Sequence, residues 1–354
     1  MEREGLGKVG ASLIRLAALL VFSVVFFVCE LPAQAQQPGL VRFCTQNLFR
    51  YDDPERKTKA ATRRKQLDAL IERMASARCD VVALQEVMGR SKREALQVAT
   101  RLGTGLSRRT GRQFEAIIGD TNTEDMRNGM LVASDTFTVQ KVRSYRREPA
   151  PKLSVLGPPT YFPRGPLAVE LLDKRGGRVL VITMHLKSKA NAWKDPTGTT
   201  FESLRLQLAE GLRRLALAHA AKLGTNTRLV ILGDRNSSET SASADVLAGV
   251  RTLADFSLSG RCGLDGELRS ECEPNRSKEG VLKPLIEWKR SREPKSLRGG
   301  TYRYRNREEI LDEIYVPLDQ VSFYTRRDGS IAAGLEGRYY RGSDHKLAWA
   351  EMRW

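Results

Sequence analysis

The chain has 354 residues and sets 59 Lys and Arg against 42 Asp and Glu, a net charge of +17. So large a basic excess concerns partners and not fold: it fits polyanions such as nucleic acid or an anionic surface, or else the solubility and codon habits of an arginine-rich genome. The 5 cysteines and 3 histidines show no CxxC or Cys/His spacing, which argues against a zinc module, and the chain beyond its leader has no repeat or long Pro/Gly/Ser linker, so one large domain suits its length.

The N-terminus opens with Glu2, Arg3, Glu4, Lys8 and Arg15, followed by an apolar run, residues 16–28, in which only Ser23 is polar. Ala33-Gln34-Ala35 then offers the small residues that a signal peptidase reads. The pattern predicts a secretory signal peptide over residues 1–35, because the apolar run is too short to cross a bilayer comfortably. An uncleaved anchor is the alternative. Cleavage after Ala35 leaves residues 36–354 with the same net charge, no stable membrane span, and a periplasmic or secreted location. An oxidising compartment favours disulfides. Cys262 and Cys272, close together in RCGLDGELRSEC, are expected to pair, whereas Cys44 and Cys79 are either buried thiols or a second bridge.

Apolar runs then predict strands at 40–48, 80–87, 114–119, 129–134, 166–172, 178–186, 228–234, 313–317, 320–324 and 346–352. Leu67, Leu70, Ile71 and Met74 recur at helical spacing, as do Leu204, Leu208, Leu212 and Leu215. A basic stretch with Arg90, Lys92, Arg93, Arg101, Arg108, Arg109 and Arg112 faces only Glu94. Part of it reads as helix, and it is either a solvated face or a groove wall that tracks a phosphate backbone. Residues 261–307 read as a long surface excursion, within which 281–288 is a modest candidate for a membrane-inserting loop. Alternating strands and helices predict an α/β fold, a two-sheet β-sandwich flanked by helices.

Polar residues recur where these apolar runs end. The strand in LVILGDRNSS stops at Gly233-Asp234-Arg235-Asn236, which is turn chemistry, yet it also aims Asp234 and Asn236 to one side, since residues two apart in a strand point alike. Thr45-Gln46-Asn47, Gln85-Glu86-Val87, Met184-His185-Leu186, Leu311-Asp312-Glu313 and Ser343-Asp344-His345 repeat the arrangement. His219 falls in an Ala- and Leu-rich helix and reads as structural.

The stretches TQNLF, ALQEV, TMHLKS, GDRN, LDEI and SDHK, spread over residues 45–346, resemble the endonuclease/exonuclease/phosphatase superfamily in its own order. TYRYRNREEILDEIYVP resembles that family's run into its late aspartate, which favours Asp312 over Asp319. The resemblance implies a two-sheet α/β sandwich and a metal-dependent phosphodiesterase. It implies Glu86 as the main ligand of Mg2+, with Mn2+ as a substitute, and Asn47 and Asp344 in or near its shell. Asp234 would orient or deprotonate the attacking water and Asn236 would hold a phosphoryl oxygen. His345, steadied by Asp312, would bind phosphate or move a proton, and His185 would work from the other flank. Arg164 matches a basic family position facing the site. Two departures stand out: Arg235 replaces the aromatic common inside GDxN, and Met88 stands where Arg often follows QEV. Arg235 should point away from its neighbours, towards phosphate or solvent.

The resulting expectation is an exported, monomeric nuclease acting on DNA or RNA. A phosphatase or phosphodiesterase for lipid head groups or small phosphoesters, and an inactive nucleic-acid-binding protein, are the alternatives.

Overall fold

A computed structural model describes residues 39–52, 60–153, 159–189, 199–256, 262, 279–304 and 307–354; the expected leader and Cys272 lie outside them. In chain order come β1 (Leu40–Tyr51), α1 (Ala60–Ser76), β2 (Val81–Met88), α2 (Lys92–Thr110), β3 (Phe114–Ile118), β4 (Met126–Ala133) and β5 (Phe137–Ser144). A short pair, β6 (Pro149–Ala150) and β7 (Thr160–Tyr161), precedes β8 (Leu167–Asp173), β9 (Arg178–His185), α3 (Thr199–Leu223), β10 (Arg228–Asp234) and α4 (Ala242–Ala248). The chain then forms β11 (Leu282–Pro284), α5 (Leu285–Arg292), β12 (Tyr302–Tyr304), β13 (Arg307–Glu309), β14 (Asp312–Pro317), a 3-10 turn (Leu318–Tyr324), β15 (Ala333–Glu336) and β16 (Leu347–Arg353).

Two six-stranded sheets carry the fold, in the orders β15-β16-β1-β2-β4-β3 and β11-β14-β10-β9-β8-β5. Strand alternation explains why they stack. In β10, Val230 and Leu232 enter the layer between the sheets with Phe43, Val81, Val181 and Ile314. Leu229 and Ile231 point the other way, under Leu208 and Leu212 of α3 and Val246 of α4. On the far side, Val82 and Leu84 meet Leu70 and Met74 of α1 and Leu102 and Leu106 of α2. Strands buried on both faces read as unbroken apolar runs, which is why they were visible in the sequence. α2 is also bounded by its own residues: Ser91 Oγ accepts from Glu94 N at 3.1 Å, and Gly111 closes the helix at φ 72. The α/β sandwich flanked by helices is therefore the observed fold, and among the described residues no helix is long and apolar enough to cross a membrane.

Several local expectations need correction. Residues 320–324 form part of a 3-10 turn and no strand. The turn carries Gln320 back to the start of β10, where its amide accepts from Leu229 N and donates to Thr227 O, both at 3.0 Å. Within 261–307, residues 282–292 are not surface chain: Leu282, Leu285 and Ile286 are fully buried as β11 and the first turn of α5. Three of the apolar residues of 281–288 are therefore spent on the core and are not presented to a membrane. The basic stretch forms α2 as anticipated in part, and three of its charges are met by acids distant in sequence: Arg109 by Glu72 at 2.9 Å, Arg112 by Asp80 and Asp135 at 2.7 Å, and Lys92 by Asp120 at 3.0 Å.

Cys44 and Cys79 are bridged, which settles the choice left open for them. The bond ties β1 to the residues just before β2, the two strands that later carry Asn47 and Glu86. Cys262 is disulfide-bonded as well, while Cys272 falls outside the described residues. Closing a chain segment with a sequence separation of 35 restricts the unfolded state. The Cys44→Ala/Cys79→Ala double variant should accordingly lose about 2–4 kcal/mol in urea titration. An unchanged denaturation midpoint would refute a stabilising role for the bridge.

Candidate active site

The two sheets solve the same geometric problem twice. In the second sheet β9 and β10 run parallel and β14 runs antiparallel to β10, so two strand ends and one strand start meet at the same rim. The pairing places Asp234 opposite His185 on one side and opposite Asp312 on the other. Three adjacent strands thus deliver three ionisable side chains in a row. In the first sheet β1 and β2 are parallel and β16 is antiparallel to β1, which brings Asn47, Glu86 and the Asp344-His345 pair to one rim.

The two rims face each other. Asn47 Nδ2 donates to Asp234 Oδ2 across the gap at 3.0 Å, and lies 3.4 Å from Glu86 Oε1. His185 Nε2 lies 3.8 Å from Asp234 Oδ2 and 4.0 Å from Glu86 Oε1. His345 Nδ1 bonds Asp312 Oδ2 at 2.7 Å, while its Nε2 looks inward, 4.0 Å from Asp234 and 3.9 Å from Asp344. Asn236 N donates to Asp234 Oδ1 at 2.7 Å, and Asn236 Nδ2 to Leu186 O at 3.2 Å. The Arg164 guanidinium bonds the carbonyls of His185 and Leu186. All eight residues proposed for catalysis and metal binding, and Arg164 with them, therefore gather at one mouth of the sandwich.

The backbone is bent to achieve this. Among the described residues six non-glycines have positive φ, and Phe49, Arg50, Glu86 and Asn236 are four of them. Each such residue costs on the order of 1–3 kcal/mol, and such strain concentrates at functional sites. Gly233 at φ 144 has no substitute, because a Cβ there would sit 2.0 Å from Met184 O.

A family model for the endonuclease/exonuclease/phosphatase family matches residues 44–345. The chain belongs to that family. Its members hydrolyse phosphoester bonds, and so does this chain as one of them. No curated protein sequence matches it. Among solved structures it is similar to truncated Caenorhabditis elegans TDP2, at TM-score 0.54 and 14% identity, covering 89% of this chain and 98% of that one. It is also similar to the endonuclease/exonuclease/phosphatase from Bacteroides vulgatus, at TM-score 0.52 and 15% identity, covering 89% and 98%. D. rerio TDP2 complexed with single strand DNA product aligns at TM-score 0.50 and 13% identity, covering 89% and 99%. At these identities the structural likeness establishes the fold.

Electrostatics separate the two site histidines of this family member. Burial opposes charge on both, but Asp312, Asp234 and Asp344 surround His345 and raise it to about 10, so it is a cation at neutral pH. His185 is pushed well below its ordinary value by burial, by Arg164 and by His345, so it is neutral. Burial also lifts Asp234 to about 7, opposed by His345 and reinforced by Asp312 and Glu86. Asp344 rises for the same reason, burial first, with Glu86 and Asp312 adding to it.

That crowding bears on the divalent metal on which the family depends. Four carboxylates converge with two cations, Arg164 and His345, and the strain on Asp234 and Asp344 is what a hard divalent ion would relieve. Asp234, Asp312 and His345 offer ligand atoms within 4.8 Å of one another. His345 Nδ1 is already bound to Asp312, however, so the carboxylates of Glu86 and Asp344 are the better oxygen donors. Asn47 accepts from Phe49 N at 2.9 Å through its Oδ1 and turns its Nδ2 to the acids, so it holds Glu86 and Asp234 in place here.

Some residues escaped the sequence reading. Arg235 reaches neither phosphate nor solvent; its relative exposure is 0%. It does point away from Asp234, into the body of the sheet, where it bonds Ser237 O at 2.7 Å, Tyr315 Oη at 2.7 Å, Ile310 O at 2.8 Å and the Glu287 carboxylate. Tyr302 packs its ring 4.8 Å from that of His345, centroid to centroid. Arg73 from α1 donates to His345 O at 2.6 Å, anchoring the loop that carries the histidine. Nothing local in TYRYR or IERMA marks either role. Lys187 lies over Phe201, and His219 bonds Tyr145 and Glu170 apart from the rim residues, as its place in an Ala- and Leu-rich helix suggested. Asp319 is exposed, so Asp312 is the aspartate at the rim.

Proposed function

We propose that this chain is an exported, monomeric, metal-dependent nuclease that hydrolyses phosphodiester bonds of DNA or RNA. The observation that carries the reading is the meeting of His185, Asp234 and Asp312 with Glu86 and His345 across the rim. A phosphodiester repels nucleophiles through its anionic oxygens, so its hydrolysis needs neutralised charge, an oriented water and help for the leaving oxygen. A divalent cation, Mg2+ or Mn2+, held by Glu86 and Asp344, supplies the charge neutralisation when bound. Asp234 orients the water and takes its proton. Cationic His345, fixed by Asp312, holds a phosphoryl oxygen, and the Asn236 amide and Arg164 add donors on the same side. Neutral His185 flanks the leaving oxygen.

The net charge of +17 and the single strand DNA product bound to the similar D. rerio TDP2 favour nucleic acid as substrate. The Cys44–Cys79 bridge favours an oxidising compartment, in line with the leader expected over residues 1–35. Purified protein incubated with plasmid DNA, RNA and inositol phosphates tests the reading. Cleavage of a nucleic acid with Mg2+, abolished by excess EDTA and restored by excess Mg2+ or Mn2+, is the expected result. Cleavage that survives EDTA would refute metal dependence, and turnover of inositol phosphates alone would refute the substrate class.

A further inference from the structure

Next to Glu86 the rim opens into a cavity of about 850 Å³. It is continuous with the site: Arg50 N donates to Glu86 Oε2 at 2.8 Å, and Met88 and Gly89, just past Glu86, line the cavity. Its charges balance. Arg50, Arg63 and Arg90 face Asp52, Glu94 and Asp125, and Arg63 is already paired with Asp52 at 2.6 Å. A track for a phosphate backbone needs an excess of cations, so the cavity is poorly made for one.

What it offers is a flat apolar surface with a polar edge. Phe49, 51% exposed, lines the cavity together with the buried Met88 and Val98. Phe49 is held there deliberately. Phe49 and Arg50 take left-handed backbone in succession, at φ 53 and 52, and their N–H groups are spent on Asn47 and Glu86. The same turn that fixes the two site residues presents the phenyl ring outward. Aromatic rings beside nucleic-acid sites stack on bases, whose edges carry donors and acceptors that a mixed-charge rim can meet.

We propose that this cavity is a nucleobase subsite, in which Phe49 stacks on a base adjoining the scissile phosphate. The proposal rests on the nuclease reading above. Two single-stranded oligonucleotides test it, one with natural bases and one with abasic residues on both sides of a chosen phosphodiester. The wild-type protein should cleave the natural strand faster at that bond. Phe49→Ala should lower kcat/KM on the natural strand by about five- to a hundredfold, the scale of one base–aromatic stack, mainly through KM. Its rate on the abasic strand should stay within about twofold of wild type, and Phe49→Trp should keep the preference. Equal wild-type rates on both strands, or equal losses on both in Phe49→Ala, overturn the subsite while leaving the nuclease reading intact. Cleavage of neither strand, made as DNA or as RNA and supplied with Mg2+ or Mn2+, overturns both.

Discussion

Asp234→Ala should reduce kcat by more than about a hundredfold, the usual scale for a general base or electrostatic group, and leave the melting temperature unchanged or higher. The reason lies in what Asp234 costs the fold. Its carboxylate is buried between Asp312 and Glu86, with Asn236 N, Asn47 and the charge of His345 as compensation. Removing it relieves repulsion among acids, so stability should not fall as activity does. His185→Ala should show the same hundredfold loss, since the imidazole lies between Glu86 and Asp234. Steady-state kinetics and calorimetry on the purified variants decide the matter. Turnover near wild type in either one would remove that residue from the mechanism.

Arg235→Leu should act in the opposite way, on stability first. Arg235 is fully enclosed and is the positive centre for Glu287, Tyr315 and the buried Glu313, whose carboxyl is raised to about 8 by burial and by Glu287 against the pull of Arg235. Removing one member of such a cluster leaves uncompensated charge, which costs roughly 3–5 kcal/mol. Glu313 also caps α5 through Ile286 N at 2.8 Å and Glu287 N at 3.0 Å, so the helix should loosen too. Urea denaturation of Arg235→Leu reads the loss, and pairing it with Glu287→Leu should recover part of it. A loss below about 1 kcal/mol would mean that the cluster is dispensable.

The fold was legible where burial was two-sided. Runs such as LVIL and VLVI have no polar break and read as central strands. Strand β5, FTVQKVRS, was not legible because it is an edge strand with most side chains exposed, and its pattern looks like loop. QVSFY misled because Val321, Phe323 and Tyr324 read as a short apolar run, whereas the two side chains it buries, Gln320 and Tyr324, lie four apart, as a tight helical turn places them. At the site, each strand end alone was ordinary turn or cap chemistry, and only their order along the chain pointed to one mouth. The surroundings of Arg235 were hidden because Glu287, Ile310 and Tyr315, three of the four groups it bonds, lie far along the chain, up to 80 positions away, in elements that sequence alone does not juxtapose. Phe49 was hidden because its importance comes from backbone bent into a region that phenylalanine seldom enters.

The residues gathered at the mouth are divided between two separate sheets, and apart from side-chain bonds such as that of Asn47 to Asp234 it is the packing of the layer between them that sets their distance. The apolar slab of Phe43, Val81, Val181, Val230 and Leu232 is therefore a spacer as well as a core: its thickness is the caliper setting of the jaw. A chain trimmed there that still folded would own every reactive group, yet its bite would no longer match a phosphorus atom, for which a misfit of about 1 Å is enough to lose a hundredfold in rate.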